Sequence, residues 1–167
     1  VTKSVSASSG ALEQDAYLRS ADCYYMLRDF SKANGMYENI ISNALPQSDY
    51  AMYQKAMIAG IKNGSEKIRI LNTVARQYPS SNLVPDINME IAMTYIAEEK
   101  FKDAVPYLNN IISSTSAGGL KPRAYLKLGL AYYNSDDNKN ALASYQQLIQ
   151  QYPQSPESAE ALVIIRD

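Results

Sequence analysis

From Ala11 almost to the last residue, apolar and polar positions along this chain alternate with a period between three and four. That period gathers apolar side chains onto one stripe of a helix and leaves polar ones on the opposite face. It predicts helices at about 11–28, 30–44, 48–62, 65–78, 84–99, 101–114, 120–134, 137–152 and 156–166, joined by short polar turns. No segment alternates with period two for long enough to make a strand, so the fold class is all-α. The opening "VTKSVSASSG" is Ser-rich and has no apolar period, which predicts a disordered linker over 1–10 and suggests a piece of something longer.

The pattern also repeats. Gln-Tyr-Pro ends a helical run at 77–79 and again at 151–153, and Pro79 and Pro153 stand 74 residues apart, two spacings of 37. After the second copy, Ser155 is placed to cap the next helix and Pro156 to take its first position, where no N–H donor is needed. The phrase is a stop followed by a start. Small residues recur in register: Ala21, Ala56, Ala92 and Gly129 form one series, and Ala33, Ile68, Ala104 and Ala141 follow them by 12 residues. Compact positions on two consecutive helices let an antiparallel pair cross closely.

Tyr17, Ala21, Tyr24, Ala33 and Tyr37 resemble the tetratricopeptide repeat pattern of a large residue, a small residue, Tyr, then Ala and an aromatic on a second helix. Tyr125, Leu128, Gly129, Tyr132, Ala141, Tyr145 and Pro153 follow it nearly position for position, and Ile91, Ala92, Tyr95, Phe101, Ala104 and Leu108 make another copy. The second copy keeps Ala56, but Gly60, Ile61 and "NGSEKIRIL" imply a shortened turn and a second helix without its Ala. The resemblance implies a right-handed α-solenoid of antiparallel helix pairs over 11–167. Its repeats would run at about 11–46, 47–80, 81–117 and 118–153, with a terminal helix at 155–167. The long period and the Tyr-Pro-x-Ser-Pro ending are similar to bacterial envelope members, such as outer-membrane assembly lipoproteins and the periplasmic coordinator of cell-wall constriction. A periplasmic or outer-membrane-associated location is what that likeness implies, with the cytoplasm as the alternative.

Charge and chemistry narrow the function. Sixteen basic against seventeen acidic residues give a net charge of -1, which offers no excess to hold a phosphate backbone, so nucleic acid is not an expected partner. There is no histidine, no Gly-rich phosphate cradle and no apolar run long enough to span a bilayer. The expectation is a protein that is not an enzyme, with no cofactor and no metal. Glu98–Glu99 and Asp136–Asp137 read as solvated turn charges. Cys23, alone of its kind, reads as a small buried hydrophobe.

A protein or peptide partner remains. If the small residue of each first helix faces its second helix, the concave face is lined three before, one after and four after it. Those positions are Leu18, Asp22 and Tyr25, then Tyr53, Met57 and Gly60, then Met89, Met93 and Ile96, then Leu126, Leu130 and Tyr133. Asp22 alone is charged, so the expected site is an apolar strip that binds a peptide or helix, with pliable methionines among its anchors. The alternative is that these side chains pack against neighbouring first helices. Some relatives hold a C-terminal carboxylate with Lys and Asn, but Leu18, Asp22 and Tyr53 depart from that pattern. A structural spacer, or a self-associating module whose groove is filled by its own Ser-rich start, is the rival function. The apolar "LVII" near the end suggests further repeats or a homo-oligomer contact.

Overall fold

The computed structural model describes residues 4–166. Among them there are nine α-helices and no strands. The chain divides at Leu83 into two compact units.

The first unit holds α1 (Ala11–Met26), α2 (Phe30–Ser42), α3 (Ser48–Gly60) and α4 (Gly64–Gln77). Its core joins Leu18 and Ala21 of α1, Ala33, Tyr37 and Ile40 of α2, and Ala51 and Ile58 of α3. Val5, from the Ser-rich start, is 2% exposed and belongs to the same core. Residues 6–9 form a turn whose Ser6 and Ser9 carbonyls accept from Gln14 Nε2 at 3.2 and 3.0 Å. The opening segment was read as a linker; from Ser4 it has this local structure, because one valine in a polar run suffices to anchor it. Val1 to Lys3 lie outside the described residues.

The second unit holds α5 (Val84–Ala97), α6 (Phe101–Ser113), a 3-10 turn (Gly118–Leu120), α7 (Lys121–Tyr133), α8 (Asn138–Gln151) and α9 (Pro156–Arg166). One cluster joins Met89 and Ala92 of α5, Ala104, Leu108 and Ile111 of α6, and Ala124 and Leu128 of α7. A second joins Leu126 of α7, Ala141, Tyr145 and Leu148 of α8, and Ala161 of α9. Fully enclosed side chains such as Leu71, Leu108 and Leu148 each contribute about 2 kcal/mol of burial.

Helix ends follow the local chemistry. Within three of the pairs a left-handed residue, Arg28, Glu99 or Asp136, precedes the next helix's cap. The following amide, of Asp29, Lys100 or Asp137, donates back to the carbonyl of Tyr24, Tyr95 or Tyr132 at 2.8–2.9 Å. This reach-back bond closes a helix end that would otherwise leave carbonyls open. The α3–α4 turn, residues 61–63, lacks it, but at three residues it is as long as the α1–α2 and α5–α6 turns, so the shortening expected from "NGSEKIRIL" is not found. Asp29, Asn63 and Asp137 cap α2, α4 and α8 through their side chains. Tyr78 and Tyr152 are the C-caps of α4 and α8, and Ser155 Oγ accepts from Ser158 N at 3.1 Å with Pro156 opening α9.

Candidate functional site

On α1 and α3, the first helices of the first unit, Leu18 is 3% exposed and belongs to the core, while Tyr25 is half-buried with its ring edge-on to Phe30, centroids 5.7 Å apart. Tyr53 and Met57 are half-buried on α3. Asp22 is not an open ligand group: its Oδ1 accepts from Tyr37 Oη at 2.7 Å and from Tyr50 Oη at 3.1 Å. Gln54 Nε2 in turn donates to Tyr50 Oη at 2.7 Å. Burial, and then the Asp22 carboxylate, push the Tyr37 phenol well above its ordinary range, and burial raises that of Tyr50. These phenols are held as hydrogen-bond donors. Tyr50 and Gln54 were not anticipated by the reading of repeat positions, because the link runs from α1 to α3 over 28 residues.

In the second unit Met89 and Leu126 are 4% and 6% exposed and serve the two clusters there. Together with Leu18 they are packing residues, closed to a partner. Met93 and Ile96 are half-buried at the edge of the α5–α6–α7 cluster, Leu130 is half-buried, and Tyr133 is 60% exposed. The strip therefore divides. Tyr25, Tyr53 and Met57 in one unit, and Met93, Ile96, Leu130 and Tyr133 in the other, keep surface that a partner can touch.

Cys23 is exposed, against the expectation of a buried thiol. Two residues beyond Ala21 it is turned about 200° around α1, away from the side that meets α2. Glu98 is engaged by Lys100 Nζ at 2.7 Å, and Asp137 caps α8. Among the described residues no three His, Cys, Asp or Glu are placed to hold a metal, and no helix is long and apolar enough to cross a membrane. A hollow of about 310 Å³ that the sequence did not signal lies between α2, α3 and α4. Ile41, Met52 and Ile70 line it, with the ion pairs Glu38–Lys55 and Glu66–Arg69 around them.

Two segments, residues 15–48 and 123–155, match the family profile described as tetratricopeptide repeat. They coincide with the α1–α2 and α7–α8 pairs, the two whose Ala and Tyr positions are most regular. A comparison with curated protein sequences gives no match. Among solved structures the chain is similar to MamA 41-end from Desulfovibrio magneticus RS-1, with a TM-score of 0.67 at 15% identity over 92% of this chain and 86% of that one. It is likewise similar to MamA AMB-1, with a TM-score of 0.60 at 17% identity over 94% and 85%. MamA MSR-1 gives a TM-score of 0.58 at 17% identity over 93% and 88%. At such identities the likeness concerns the fold. Residues 15–48 and 123–155 are thus similar to tetratricopeptide repeats, and the fold is all-α, built of consecutive helix pairs.

Proposed function

We propose that the protein is a non-catalytic interaction scaffold that takes a peptide or helix of a protein partner on the faces of its first helices. The observation that carries this reading is the set of apolar side chains left partly open there: Tyr25, Tyr53 and Met57 in one unit, and Met93, Ile96, Leu130 and Tyr133 in the other. Apolar surface collected on one kind of helix is a protein-contact surface, and two methionines give it the pliability to repack around an apolar anchor. The fold supports the same reading, since stacked helix pairs are built to present such faces.

An assembly at the bacterial envelope, periplasmic or outer-membrane-associated, is the setting we infer from the repeat length and the Tyr-Pro endings. Fractionation of the source cells checks it, and recovery in the cytoplasm alone would refute it. The test of binding compares the native chain with a Met57→Glu, Met93→Glu double variant of unchanged helicity, each used to retain proteins from envelope and cytosolic fractions. A partner retained by the first and lost by the second supports first-helix capture; equal retention by both removes it. Self-association is a second reading, favoured by four consecutive exposed apolar side chains, Leu162 to Ile165.

A further inference from the structure

The turns inside the helix pairs differ between the two units in what they expose. In the first unit α1 and α3 each reverse through a three-residue turn into an antiparallel partner, so residues 27–29 and 61–63 project at the same end of the helices. Leu27 is 75% exposed and Ile61 is 52% exposed. Ile61 follows α3, with α1 and α2 before it and α4 after it in the same unit, and it is open all the same. The exposure therefore belongs to the turn position. Met26, five residues after Ala21 as Ile61 is after Ala56, is open too.

Basic side chains flank these apolar ones. Residues 26–32 and 61–67 hold Arg28, Lys32, Lys62 and Lys67 against Asp29 and Glu66. Both carboxylates are engaged, Asp29 by Lys32 at 3.1 Å and Glu66 by Arg69 at 2.6 Å. Arg28, its guanidinium over the Phe30 ring at 5.9 Å, and Lys62 have no carboxylate partner among the described residues. The corresponding stretches of the second unit, 97–103 and 134–140, hold three basic residues against five acidic ones. There the exposed large apolar side chain, Tyr133, borders a turn that contains Asp136 and Asp137. A net charge of -1 for the whole chain conceals this opposition. A projecting tip that is apolar and basic fits poorly to a protein surface, which would need a separate hollow for each turn. An anionic bilayer receives a projection anywhere, with phosphates at its surface and hydrocarbon just beneath.

We propose that the α1–α2 and α3–α4 turns of the first unit dock this protein on an anionic lipid surface, with Leu27 and Ile61 entering the headgroup boundary and Arg28 and Lys62 meeting lipid phosphates. This goes beyond first-helix capture and shares no residue with it, so either reading can fail alone.

Flotation with vesicles of mixed phosphatidylglycerol and phosphatidylcholine, beside vesicles of phosphatidylcholine alone, tests it on the whole chain, with circular dichroism confirming that each variant keeps its helices. The native chain floats with the anionic vesicles and not with the neutral ones, and the bound fraction falls as salt rises. Arg28→Glu together with Lys62→Glu weakens binding about tenfold or more. Both acids suit the backbone there, since the second unit has Glu98 where Lys62 stands, and Glu99 has the left-handed backbone of Arg28, with φ of 57° and 61°. Leu27→Ser together with Ile61→Ser weakens binding as well. The chain has no tryptophan, so Leu27→Trp supplies a single emitter whose fluorescence moves to the blue on anionic vesicles, while Asn134→Trp, at the α7–α8 turn, does not move. Absence of binding to anionic vesicles overturns the proposal and leaves these turns to an acidic protein surface. Equal binding to neutral vesicles, indifference to the charge reversals or to the serines, or the same blue shift from both tryptophans overturns it too.

Discussion

Tyr37 and Tyr145 occupy the same place in two repeats, four residues after the small residue of a second helix, yet their surroundings differ. In the first unit the residue after Ala21 is Asp22, which accepts the Tyr37 hydroxyl at 2.7 Å. In the second unit the residue after Gly129 is Leu130, and the Tyr145 hydroxyl has no hydrogen-bond partner among the described residues. The rings are seated differently too. A Cβ at Gly129 would fall 2.7 Å from Tyr145 Cδ1, so this ring uses space that Ala21 fills in the other repeat. One tyrosine is tied by a polar bond and the other by shape. A repeat fixes where a ring goes, and the neighbour of the small residue decides what holds it there.

The largest effect expected from breaking this contrast is at Gly129. Gly129→Val drives a branched side chain into the Tyr145 ring and lowers stability in urea unfolding by about 3 kcal/mol, while Ala21→Gly, the reverse change of size, costs about 1 kcal/mol. Equal losses would mean that ring fit does not distinguish the repeats. Next comes Tyr37→Phe, which removes a bond to a carboxylate and lowers stability by about 2 kcal/mol. The same variant has a signature in pH. A free tyrosine ionises near 10.0, and in the native chain Tyr37 does so only at higher pH. Above that point the unfolded chain therefore binds fewer protons than the native one, and stability falls as pH rises. Tyr37→Phe should make that alkaline fall less steep; an unchanged slope would remove Tyr37 from the account. Ser158→Ala, which deletes donors to the Leu148 and Tyr152 carbonyls at 3.2 and 2.7 Å, should cost about 1 kcal/mol by the same unfolding measurement. Smallest is Tyr145→Phe, expected within about 0.5 kcal/mol of the native chain because no bond is lost. A loss as large as that of Tyr37→Phe would show a partner for its hydroxyl.

Helices were legible because they depend on near neighbours, as in the 3.6-residue period and Ser155-Pro156 after Tyr-Pro; the Asp29, Asn63 and Asp137 caps were not, and Asp137 in particular reads as a solvated charge until α8 is seen to start on it. The small-residue series was legible because a close crossing needs it at a fixed interval. Side-chain exposure was less so. Leu18, Met89 and Leu126 fell on the presumed binding strip, but the strip lies beside the contact between consecutive helices, and a residue there is open or closed according to what the next helix brings. Cys23 was misjudged because an apolar run hides its own face, which only the neighbouring helix defines. The Asp22–Tyr37–Tyr50 link was illegible for a similar reason: its members come from three helices, and no local pattern joins them.

The serine corners have a consequence for how such a chain arises. Ser48 Oγ donates to the Leu45 and Ile40 carbonyls at 2.6 and 3.4 Å, and Ser158 Oγ makes the corresponding reach to Tyr152 and Leu148. Both joints grip main chain, which every residue type supplies. A helix pair beginning with such a serine can follow a preceding pair of different sequence without its side chains having co-adapted at the corner. Duplication and recombination of repeats then leave a working joint from the first generation, and the divergence between Tyr37 and Tyr145 is the kind of drift that such tolerance permits.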